Sequence, residues 1–182
     1  MGYHAPAGTM VAIVGDAADE ALASLEGIAG VETLSVRGGE PGLAGRRIAA
    51  TVTPWVVHDA DPLAHVAQAW IELFEERATM GALQAEVEDA LARFASGEAL
   101  MPDYYVVLAP EQAPDVWRHW WCGALGRHAP RRVLPVAARG AAGDESLRHL
   151  LTVLPPSRPW PDPAQWLPDL PFAIPDRVGL RA

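Results

Sequence analysis

The run Tyr104-Tyr105-Val106-Val107-Leu108-Ala109 is apolar at every position. A strand with one face in water alternates polar and apolar side chains, so a run without alternation implies cover on both faces. Val133-Leu134-Pro135-Val136-Ala137 has the same character, and Met10 to Val14 is a third short apolar run, closed by Gly15-Asp16. Strands of this kind belong inside a sheet flanked by helices.

The intervening segments supply those helices. After Gly15, Asp16 is placed to cap a helix carrying Ala18, Ala21, Leu22, Leu25 and Ile28, which Gly30 closes. Val31 to Val36 reads as a second strand. Gly38 to Gly45 is a glycine-rich link too short for a helix, and Ile48 to Val57 then reads as a long third strand. Pro54 would place that strand at an edge or a bulge. Asp61-Pro62 starts a helix with the apolar stripe Leu63, Val66, Ala67, Trp70, Leu73 and Phe74. A further helix carries Met80, Leu83, Val87, Leu91 and Phe94 and stops at Ser96-Gly97. Pro114 opens one with Trp117, Trp120, Trp121, Ala124 and Leu125 inward, and Asp144 caps the last, with Leu147, Leu150, Leu151 and Leu154.

The expected fold is therefore α/β: a mixed, mostly parallel open sheet of about five strands with helices on both faces. The helix-free link between strands two and three implies one antiparallel pair. The alternative is a ferredoxin-like α+β arrangement with additions. Residues 1–154 form the α/β domain. Eight of the 17 prolines fall in residues 155–182, beside Trp160, Trp166 and Phe172. Such proline density suits neither helix nor sheet interiors, so 155–182 reads as an extended proline-rich arm packed on the domain or on a partner.

Composition excludes several chemistries. All 14 cations are arginine, and lysine and asparagine are absent, while alanine occurs 33 times. That skew fits a GC-rich bacterial genome. Without lysine there is no Walker-A phosphate loop and no Schiff-base nucleophile. A net charge of −9 and a pI near 5.0 argue against nucleic acid or an anionic membrane as partner. Cys122 is the only cysteine, which excludes an intrachain disulfide and any multi-cysteine metal site. With no signal-like N-terminus and no apolar run of membrane-spanning length, the expectation is a soluble, cytoplasmic protein. No complete catalytic or dinucleotide motif is present, so no cofactor is expected.

Ligands of open α/β sheets bind beyond the carboxyl ends of the strands. That rule gathers Asp16, His58, Asp59, Asp61 and Glu111 as candidate catalytic residues. Imidazole with carboxylates suits acid–base work, and His58, Asp59 and His65 are a weak metal set. Turn and cap roles explain Asp59 and Asp61 equally well. Glu72, Glu75 and Glu76 read as a solvated helix face, and Cys122 beside His119 as a mid-helix thiol remote from any activating dipole. Trp117, Trp120, Trp121, Trp160 and Trp166 are candidate interaction residues, large enough to form one cluster. Arg46-Arg47 and Arg131-Arg132 are local basic pairs.

The favoured function is a non-catalytic accessory or protein-interaction protein. It would use its acidic surface and C-terminal arm on a protein partner or a second copy. The alternative is a small hydrolase or transferase acting on a nucleotide- or sugar-like molecule at the strand ends.

Overall fold

A computed structural model describes residues 7–36, 42–137, 140–155 and 160–173, the side chains of 140–144 excepted. Five strands pair in the order β2-β3-β1-β4-β5. They are β1 (Thr9–Val14), β2 (Val31–Leu34), β3 (Trp55–His58), β4 (Tyr104–Leu108) and β5 (Val133–Val136). The open α/β sheet is as expected, and β1 and β4 are buried along their whole length; β5, read as an inner strand, lies at the sheet edge with Pro135 exposed.

All four strand pairs are parallel, so the expected antiparallel pair does not exist. The reason is α2 (Leu43–Ala49), a helix in the link read as helix-free. Gly42 starts it with φ 78°. Gly45 then lies so close to the chain at Glu98 that an added Cβ would overlap the Glu98 carbonyl. Part of the glycine run is thus a close-packing surface; Gly38 to Pro41 lie outside the described residues. Ile48, read as strand, is buried in this helix together with Gly45. Pro54 precedes β3, where it interrupts no ladder.

Parallel strands need right-handed crossovers, which assign each helix to a face. α1 (Ala18–Leu25) and α7 (Gly140–Val153) cover one face, where Leu22, Leu25, Leu147 and Leu151 pack on Val11, Ile13, Tyr104 and Val106. α3 (Ala64–Phe74), α4 (Met80–Ser96) and the helical run Asp115–His128 cover the other, over Ala12, Val14, Tyr105 and Val107. That run is α5 (Asp115–Arg118), a π-helix (His119–Leu125) and α6 (Gly126–His128).

Helix starts differ from the sequence reading in three places, one of them α3, which begins at Ala64 with Leu63 as N-cap and not at Asp61-Pro62. α1 begins at Ala18 with Ala17 as N-cap and no side-chain cap, so Asp16 is an exposed turn residue. α7 begins at Gly140, four residues before the expected cap at Asp144.

Residues 163–172 are helical instead of extended. α8 (Pro163–Trp166) has proline at N1 and the Asp162 side chain capping Ala164 N–H at 3.0 Å; a 3-10 helix (Leu167–Phe172) follows. Proline's fixed φ and missing donor cost nothing in a first helical turn, where Pro163 and Pro168 sit, while Pro171 lies within the 3-10 helix. Trp160, Trp166, Leu167 and Leu170 are buried in the same core as Trp70, Trp120 and Trp121. The Trp70 indole N–H donates to Leu170 O at 3.1 Å. Residues 156–159 and 174–182 of the arm lie outside the described residues.

Candidate functional site

In a parallel sheet of this order, the connection leaving β1 crosses to one face and those leaving β3 and β4 to the other. The crevice lies at the carboxyl end of β1, flanked by β3 and β4. Gly15 closes the β1 end with φ 113°, and a Cβ there would sit 2.8 Å from Leu108 O at the end of β4. The two strand ends are therefore in backbone contact. Ala109, next along, holds a positive φ of 44°, a local strain for a residue with a Cβ.

The carboxylates gathered there hold backbone. Asp59 is 2% exposed. Its Oδ1 accepts from Val36 N–H at 2.6 Å and its Oδ2 from Ser35 Oγ at 2.9 Å, clamping the end of β2 to the end of β3. Asp61 Oδ1 accepts from Leu63 N–H at 2.9 Å, an Asx turn that leads into α3, and from the Tyr105 phenol at 3.0 Å. Burial first, and the Asp61 charge with its hydrogen bond second, raise the Tyr105 pKa well above its usual value. Tyr105 is a fixed donor and not a proton acceptor at neutral pH.

His58, the last residue of β3, is 1% exposed, and neither ring nitrogen has a hydrogen-bond partner. It aligns laterally with Ala12 of β1, which aligns in turn with Tyr105 of β4. Desolvation lowers its pKa from 6.5 to about 4, against a smaller opposing pull from Asp59 and the Ala60 backbone. The imidazole is neutral at pH 7 and sealed from solvent.

Asp16 and Glu111 are both exposed in turns. Asp16, Asp19 and Glu20 also surround the start of α1. A helix N-terminus at this place is a usual phosphate seat, but three carboxylates repel an anion there.

The weak metal set does not assemble. His65 is exposed on α3 while His58 is sealed, and both Asp59 oxygens are engaged. Among the described residues no group of three or more His, Cys, Asp and Glu is placed to hold a metal ion. Cys122 is half-buried in the π-helix, and desolvation raises its thiol pKa against a smaller opposing effect of Arg118. Glu72 accepts from Gln68 at 2.6 Å and Glu75 pairs with Arg77, as a solvated face does.

Of the candidate interaction tryptophans, Trp120, Trp121, Trp160 and Trp166 are at most 9% exposed, and Trp117 is half-buried. Trp160 and Trp166 lie 6.3 Å apart, and Trp117 and Trp121 5.2 Å apart. Their area is buried within the chain itself.

The feature that sequence reasoning missed lies at the opposite, amino end of the sheet. Asp103, just before β4, accepts from Met10 N–H through Oδ2 at 2.8 Å. Its backbone oxygen accepts from the Trp160 indole at 3.1 Å. Arg132, just before β5, lies over the Tyr104 ring at 4.9 Å. Beside this network is a cleft of about 300 Å³ lined by His128, Ala129, Pro130, Arg131, Arg132 and Pro161. The available signal was the Arg131-Arg132 pair; its partner wall, Pro161, comes from the arm.

No helix among the described residues is long and apolar enough to cross a membrane. Set against known proteins, the chain matches no family model, no curated protein and no solved structure.

Proposed function

We propose that this chain is a non-catalytic interaction protein, an α/β scaffold that acts by binding another protein. The observation that carries this reading is the use of Asp59 and Asp61. At the strand ends where an open α/β enzyme keeps its working groups, their carboxylates accept from Val36, Ser35, Leu63 and Tyr105. A catalytic carboxylate must reach a substrate proton or a developing charge, and these accept from the protein's own backbone and hydroxyl groups. His58 supports the same reading, since a residue 1% exposed meets no substrate without rearrangement.

The test is capture on the full-length chain from a lysate of the native host, followed by reconstitution of the captured protein from purified components. The expected result is a stoichiometric complex with Kd below about 10 μM. No reconstituted complex, together with turnover of a small molecule that Asp16→Ala or Glu111→Ala abolishes, overturns the reading.

A further inference from the structure

We infer that the cleft at the amino end of the sheet binds a peptide segment carrying a carboxylate next to an apolar side chain. This deepens the interaction reading above and rests on it. The walls are Ala129, Pro130 and Pro161, apolar and stiff, so ordering them on binding costs little entropy. The cations are Arg131, which is exposed, and Arg132, which is half-buried.

Arg132 is held in place by the Tyr104 ring at 4.9 Å and by a long donation from Nη1 to Asp103 O at 3.4 Å. Arg131 carries no such restraint and presents its planar fork of donors at the mouth, a geometry that matches a carboxylate. His128 is stacked on Trp166 at 4.7 Å, which fixes the remaining wall.

Charge selects the ligand class. Arg127, Arg131 and Arg132 fall within six residues of a chain whose net charge is −9. An acidic segment is therefore attracted here and repelled by most of the remaining surface. Asp169 acts electrostatically on His128, and Asp103 lies behind Arg132. The Asp169 carboxylate holds the local positive charge down, which favours one or two peptide carboxylates over the dense phosphates of a nucleic acid.

The arm is part of this site. Pro161 forms a wall because Trp160 is anchored on Asp103 O at 3.1 Å, and Trp166 on Pro161 O at 3.1 Å.

The test is an NMR titration of the isotope-labelled full-length chain with a capped octapeptide of alternating Glu and Leu. Parallel titrations use the Gln-for-Glu version and a short single-stranded oligonucleotide. The expected result is saturable shifts at the amides of Ala129, Arg131 and Arg132 and at the Trp160 and Trp166 indoles. Arg131→Glu, an exposed change, should leave the rest of the spectrum intact and weaken binding at least about tenfold. Raising salt to about 0.5 M should weaken it severalfold.

Equal binding of the Gln peptide, tighter binding of the oligonucleotide, or indifference to Arg131→Glu overturns the inference. A reconstituted partner that binds Arg131→Glu as well as wild type also overturns it while leaving the interaction reading intact. Specific peptide binding with no reconstituted partner sinks that reading and spares the cleft.

Discussion

The two ends of the sheet use similar groups in different ways. At the carboxyl end Asp59 and the half-buried Asp61 are turned onto backbone, a hydroxyl and a phenol, His58 is sealed without a partner, and Asp16 and Glu111 are exposed. At the amino end Asp103 and Arg132 also hold chain, but beside them remain an exposed cation and an open apolar cleft. Position in an α/β fold proposes a site, and the hydrogen bonds its groups already make decide it. A carboxylate whose lone pairs are filled by the chain's own donors is structure, wherever it lies.

The largest expected effect lies at Trp160. Truncation to Ala removes a buried indole, its Asp103 bond and the support of Pro161, so a loss of about 3–5 kcal/mol is expected in urea unfolding. The cleft would be lost with it. Retention of full stability would show that the arm is not part of the fold.

Asp59→Ala comes next. It leaves the buried Val36 N–H and the Ser35 hydroxyl without their acceptor, and about 2–4 kcal/mol should be lost by the same measurement. A stable variant with altered turnover of some substrate would return Asp59 to the catalytic candidates.

His58 sharpens the comparison through pH. Its folded pKa of about 4 lies below the unfolded 6.5, so the unfolded chain takes up the proton first. The stability contributed by the neutral ring is complete above pH 6.5. It falls as pH drops towards 4, by on the order of 3 kcal/mol at about 1.4 kcal/mol per unit. His58→Leu should flatten that part of the stability–pH curve and match or exceed wild type at pH 5. An NMR titration of the imidazole near pH 6.5 in the folded chain would contradict the sealed placement.

The smallest effect belongs to the exposed acids. Asp16→Ala and Glu111→Ala should each change stability by less than about 0.5 kcal/mol and leave partner binding unchanged.

The central strands were legible because burial on both faces removes polar alternation, a signal carried by β1 and β4 themselves. α3 and α4 were legible from one-sided stripes and from the Gly97 stop, where φ is 74°. α2 was not: its seven residues hold Gly45, Arg46, Arg47 and a single large buried side chain, Ile48. Nothing in so short a window distinguishes helix from link plus strand. The missed helix then produced the false antiparallel pair.

The π-helix was invisible for a different reason. Its shifted hydrogen bonding brings the adjacent Trp120 and Trp121 both inward, which the ordinary helical period also allows. The candidate carboxylates were found by position, but their lone-pair partners, Val36 and Tyr105, lie 23 and 44 residues away. The amino-end cleft joins residues 128–132 to Pro161 across the whole of α7, so only its basic pair could be seen in the chain.

The proposed role is the binding of a protein through the amino end of the sheet, not catalysis at its carboxyl end. The direct measurement is the affinity of the reconstituted native partner for wild type, for Arg131→Glu and for the double variant Asp16→Ala with Glu111→Ala. The prediction is that Arg131→Glu weakens the complex at least about tenfold while the double variant binds as wild type. Loss of binding in the double variant with Arg131→Glu unaffected would contradict it.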